Sequence, residues 1–139
     1  ISMTYKRYKS VVQHVPTFEI RVKGKVFTEP HTSKDKWYLR IILDSTSASF
    51  IEEFEKRYEK HANVSLQQTL SSTNLIILKL PFRYKRFECK VFDRDGDPLT
   101  CYDIKEGMNV DIKTVHAGFS YQDINILSTW KVKELTITE

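Results

Sequence analysis

Cysteine is scarce in this chain, with only Cys89 and Cys101 among 139 residues. That is too few for a disulfide-stapled secreted scaffold, and no secretory leader is read at the start. The two thiols are therefore expected to be free, in a reducing intracellular compartment. They flank an Asp-Gly turn, where they could face each other across two strands. Neither has a second Cys or His at ligand spacing, so no zinc site is expected. The four histidines (His14, His31, His61, His116) are scattered, and there is no phosphate-cradling Gly loop or nucleophile elbow. Neither a cofactor nor an enzymatic activity is expected. Asp93, Asp95 and Asp97 look like the start of a calcium loop, but apolar Leu99 and Cys101 follow where ligands are needed. No run approaches the roughly 18 apolar residues of a membrane span, so no membrane partner is expected. Four glycines and four prolines against 12% aromatics exclude a disordered chain. An acidic excess is missing too: the formal charge is +4, which leans away from mimicry of an acidic partner.

What is present fits one domain, long enough to bury its own core. Ile1-Ser2-Met3 does not read as a natural start, and the domain is taken as 4–139. Basic residues gather at Lys6-Arg7-Lys9, Arg21-Lys23-Lys25, Lys34-Lys36-Arg40 and Arg83-Lys85-Arg86-Lys90. Residues 90–115 organise the second half. Val91 and Phe92 enter a turn whose Asp95-Gly96 supplies positive φ, and Pro98 keeps the exit extended. After a second turn at Gly107, Met108, Val110, Ile112 and Thr114 alternate on one strand face.

Upstream, Thr4 to Lys9 is a basic-aromatic arm, either an edge segment or a strand that clips nucleic acid. Phe18, Ile20 and Val22 alternate inward, and Gly24 suggests a bulge or bend in a long first strand. In KWYLRIIL (36–43), Trp37, Leu39, Ile41 and Leu43 form the core face, leaving Tyr38 and Arg40 outside. Ser49 and Glu52 read as a capping box opening a helix, whose Phe50, Phe54, Tyr58 and Ala62 stripe, widened by Ile51, should be core. Leu75–Leu80 reads as a buried strand. Phe82-Arg83-Tyr84-Lys85-Arg86-Phe87 then interleaves three aromatics with three cations. Cations neutralise phosphates and flat rings stack on unpaired bases, so this pattern points to nucleic acid. Phe119 and Tyr121 are expected on a turn, and Trp130 opens a last strand as core or as a stacking residue, with Lys131 on the opposite face.

The order from "LKLPF" through "KVFDRDGDPLTCYDIKEGMNVDIKTV" to "STWKVKELTI" resembles the OB-fold single-stranded DNA-binding proteins of nucleocytoplasmic large DNA viruses, of the asfarvirus kind. The resemblance covers about residues 75–137. It implies a mainly β, five-stranded antiparallel OB barrel with its helix between the third and fourth strands. It also implies largely sequence-independent binding of single-stranded DNA during viral DNA replication or repair, at a host cytoplasmic or nuclear site, with replication proteins as possible partners. The groove would be lined by Lys36, Tyr38, Arg40, Phe82, Arg83, Tyr84, Lys85, Arg86 and Lys90, with Phe119, Tyr121, Trp130 and Lys131 beside it. The same residues fit an RNA-binding barrel, or an interaction module that docks an acidic protein.

Overall fold

The computed structural model describes residues 18–122 and 125–138, apart from the side chains of residues 121 and 122. The basic-aromatic arm expected at 4–9 lies outside the described residues. The elements are β1 (Glu19–Ser33), β2 (Lys36–Leu43), α1 (Ser45–Ala62), β3 (Leu75–Leu80), β4 (Phe82–Arg83), β5 (Arg86–Phe87), β6 (Lys90–Phe92), β7 (Pro98–Leu99), a 3-10 turn at Cys101–Asp103, β8 (Asn109–Gln122) and β9 (Asn125–Ile137). Among the described residues, no helix is long and apolar enough to cross a membrane.

Five strands close a barrel. β1 is long enough to serve both halves: its first part pairs with β8 (Val22↔Ile112) and its second with β2 (Val26↔Ile41). β2 pairs with β3, β8 with β9, and β3 returns to β9 at Lys79↔Lys131. This is the expected mainly β, five-stranded barrel with one helix, with two corrections. The closing β3–β9 pair is parallel. The helix lies between the second and third barrel strands, not the third and fourth. Among the described residues, only β1 and β2 precede α1, and residues 63–74 bring the chain back so that β3 can pair with β2. The Asp-Gly hairpin is present as β6–β7, with Gly96 at φ 89 and the Asp93 carboxylate accepting from the amides of Asp95 and Asp97. It hangs on the outer edge of β9 and forms no barrel wall.

Alternation along the strands builds the core. Val22, Val26, Leu39, Ile41, Leu78, Val110, Ile112 and Leu135 are all buried. Gly24 is neither a bulge nor a break. A Cβ there would stand 2.3 Å from the Ile42 carbonyl oxygen, so glycine is what lets β1 and β2 approach. The register shifts come later, between Val26 and Thr28 and between Thr28 and His31. Phe119 and Tyr121 lie on β8 itself, not on a turn.

The helix starts before the expected capping box. Asp44 is the N-cap and accepts from the Ser47 amide at 2.8 Å, while Ser49 sits inside the helix and donates back to the Ser45 carbonyl. Its buried face is Ser47, Ala48, Ile51 and Glu55. The expected stripe holds in part: Ile51 is fully buried, Phe54 is half-buried against the core and Tyr58 stacks on Phe119, while Phe50 is left exposed. Glu55 tolerates burial because the Thr69 hydroxyl donates to it. Burial still pushes its carboxyl above the usual range, against that hydrogen bond.

His116 lies nearby, buried, with its Nε2 2.6 Å from Ser128 Oγ and its ring against Phe54, Phe119 and Trp130. Burial pushes its imidazole down to about 4, from 6.5. The unfolded chain therefore takes up this proton first. The stability His116 contributes is full above pH 6.5 and is lost as pH falls towards 4, by roughly 3 kcal/mol. Glu55 acts with the opposite sign, its contribution being lost as pH rises through its raised value. A His116→Gln chain should show a flatter acid limb when urea stability is followed between those two pH values. A limb as steep as that of the unchanged protein would assign the acid sensitivity elsewhere.

Candidate nucleic-acid interface

The outer face of β1–β2–β3 is laid out in rows set by strand register. Lys25, Ile42 and Leu75 form one row, and Thr28, Arg40 and Ile77 the next. The third contains His31, Tyr38, Lys79 and, across the barrel closure, Lys131. Each row carries at least one cation, and successive rows stand about 7 Å apart along the strands. Neither KWYLRIIL nor LIILKL contains a carboxylate. The shift between Val26 and Thr28 leaves Phe27 beside the middle row, where it is 45% exposed, with Ile77 49% exposed. These are large apolar surfaces for a small barrel to leave in water.

The electrostatics favour a polyanion. Burial, and then the neighbouring ammoniums of Lys36 and Lys131, hold the Lys79 ammonium below its usual range. A bound phosphate would relieve that repulsion. In the middle row, Arg40 Nε and Thr28 Oγ1 are both buried without a hydrogen-bond partner among the described residues.

The β4–β5 hairpin flanks the Trp37 end of this face. Phe82 pairs with Phe87 and Arg83 with Arg86, so the interleaved stretch folds into a miniature hairpin. Its turn residues Tyr84 and Lys85 have φ of 54° and 62°, a conformation that glycine or asparagine adopts more easily. The result is Tyr84 standing 85% exposed at the tip. At the base, the rings of Phe82, Phe87 and Tyr102 surround Trp37 at centroid distances of 5.9, 5.0 and 6.2 Å. Trp37 is therefore half-buried under an aromatic cap instead of deep in the core. Arg83 is partly neutralised by Glu88 at 3.2 Å.

Of the residues expected to line the groove, the structure brings Lys36, Tyr38, Arg40 and Lys131 together on the face and places Phe82, Arg83, Tyr84, Lys85 and Arg86 on the adjoining hairpin. Others lie elsewhere. Trp130 is 1% exposed, packed edge-on to Phe54, and cannot stack on a base. Phe119 is buried and stacks on Tyr58 of the helix at 4.2 Å. Lys90 is exposed on β6, in register with Glu134 and three residues further along β9 than Lys131. The side chain of Tyr121 lies outside the described residues. Sequence reasoning missed Phe27, Ile77, Lys79 and Tyr102. Period-2 alternation carries a signal for the first three, since Phe27 continues the outward series Arg21, Lys23, Lys25, and Ile77 shares parity with Lys79.

No family model and no curated protein matches the chain. Two solved structures do, both of the single-stranded DNA-binding protein from bacteriophage Enc34. The complex with ssDNA aligns with a TM-score of 0.57 at 9% identity, covering 88% of this chain and 86% of that one. A C-terminal truncation aligns at 0.59 and 8%, covering 88% and 85%. At such identities the likeness concerns the fold alone. Strand order, parallel closure and these neighbours agree that the chain is an OB-fold barrel.

Proposed function

We propose that this protein binds single-stranded DNA, largely without sequence preference, along the outer face of β1–β2–β3 and the β4–β5 hairpin, and that it protects or organises single strands in viral DNA replication or repair. The observation that carries the reading is the set of three rows, each joining a cation to apolar or aromatic surface on strands β2 and β3 that lack carboxylates. Cations neutralise phosphates whatever the sequence, and Phe27, Tyr38 and Tyr84 offer flat faces to unpaired bases. The similar phage protein, whose structure includes ssDNA, supports the same reading. Bases held inside a duplex cannot reach those rings, which is the source of single-strand preference.

The test is fluorescence-anisotropy titration of a labelled dT oligonucleotide, competed with unlabelled duplex DNA and single-stranded RNA. Binding that duplex cannot displace is expected. Equal competition by duplex, or no binding at low salt, would overturn the proposal, and displacement by RNA at lower concentration than by dT would move it to RNA. Replacing Arg83, Lys85 and Arg86 together with alanine should weaken binding and flatten its salt dependence by about 0.7 in log–log slope for each phosphate no longer neutralised. All three side chains are exposed, so the melting temperature should barely change. An unchanged slope would remove the hairpin from the interface.

A further inference from the structure

Cys89 and Cys101 have no place in the surface proposed above, and they are the chain's only thiols. Twelve residues apart, their sulfurs meet at 3.2 Å across the base of the β6–β7 hairpin. Their surroundings differ. Cys101 is 1% exposed at the start of the 3-10 turn. Cys89 is half-buried and lines an open cavity of about 310 Å³, whose wall carries Lys131, Glu88 and the ion pair of Lys133 with Glu19. A small oxidant can therefore reach Cys89, with Cys101 immediately behind it.

We propose that Cys89 and Cys101 form a reversible dithiol–disulfide pair, with Cys89 the peroxide-reactive thiol and Cys101 the resolving one. The hydrogen bond between the two sulfurs holds the Cys89 thiol below the usual range, while the same bond and burial push Cys101 up. The Cys89 thiolate attacks one oxygen of hydrogen peroxide, breaking the O–O bond and leaving a sulfenic acid and hydroxide. Hydroxide takes the Cys101 proton and becomes water. The Cys101 sulfur then attacks the Cys89 sulfur and expels the sulfenic oxygen, which leaves as a second water after taking a proton from solvent. Two thiols and one peroxide thus give one disulfide and two waters, and a dithiol reductant reverses the change.

The device sits beside the aromatic cap. Cys89 follows Phe87 by two residues and Cys101 directly precedes Tyr102, and those two rings are 5.4 Å apart, both against Trp37. Forming the bond must draw the sulfurs together by roughly 1 Å, so closure is felt at Trp37.

The experiment treats the folded chain with hydrogen peroxide and reads intact mass, alkylation by iodoacetamide after unfolding, and tryptophan fluorescence. Loss of two hydrogens within one molecule, no alkylation, a changed fluorescence and full reversal by dithiothreitol are expected. The melting temperature should rise by roughly 5–10 °C, as for a short loop closed in the unfolded chain. A Cys101→Ser chain should stop at a sulfenic acid on Cys89 that dimedone traps. If that variant fails to fold, the mass and alkylation of the unchanged protein decide. Two alkylatable thiols after peroxide, a sulfinic acid on Cys89 beside a free Cys101, or disulfides only between molecules would each overturn the proposal. None of these readouts involves DNA, so the pair stands or falls apart from the ligand reading.

Discussion

Replacing Phe27 and Tyr38 together with alanine is expected to weaken binding of a dT oligonucleotide by about 30-fold to well over 1,000-fold, at about 1–3 kcal/mol for each base that loses a stacking partner. The stability cost should be small beside this. Phe27 is 45% exposed on a sheet face and Tyr38 is half-buried, so neither is a fully buried side chain. The pair also separates stacking from charge, because the salt slope should survive the loss of the rings while falling when Arg40 or Lys79 is replaced. Anisotropy titrations of the double variant at two salt concentrations check both. Undiminished affinity would show that the rows are not where the bases lie.

Trp130→Ala is expected to do the opposite, lowering folding stability by roughly 3–5 kcal/mol. Trp130 is among the largest fully buried side chains, and it holds helix and barrel together through Phe54 at 5.2 Å and His116 at 4.9 Å, with Phe18 at the edge. Its removal opens a cavity against Phe54 and His116, which the rigid closure of β8 on β9 cannot collapse to fill. Urea unfolding measures the loss. A drop below about 1 kcal/mol would mean the tryptophan is not the packing centre of this end of the barrel.

Strand-level structure was open to reading because it rests on local rules. Alternation placed Leu39, Ile41, Val110 and Ile112 inside, and Asp95-Gly96 marked a turn that the Asp93 carboxylate then closes. What could not be read depends on partners distant in the chain. Glu55 faces inward, where the hydroxyl of Thr69, fourteen residues on, hydrogen-bonds its carboxylate, and no helical periodicity would nominate a glutamate for the core. Phe119 reads as a turn residue and Trp130 as either core or stacking; α1 decides for packing in both, with Phe54 edge-on to Trp130 and Tyr58 stacked on Phe119. Conversely, LIILKL looks uniformly buried, yet only one of its faces meets the core and Ile77 is left outside. The candidate face is legible as a set only when register aligns three strands, which is why Arg40 was foreseen while Phe27 and Lys79 were not.

The most direct test of the central claim is photocrosslinking of a 4-thiothymidine oligonucleotide to the intact protein, with the adducts mapped by mass spectrometry. The expected adducts fall on Phe27, Tyr38, Ile77 and Tyr84, the exposed rings and apolar surface of the β1–β2–β3 face and its hairpin. Adducts concentrated instead on Phe50, Phe54 and Tyr58, which line the groove between the helix and β1, would contradict the account and move the interface to the other side of the barrel.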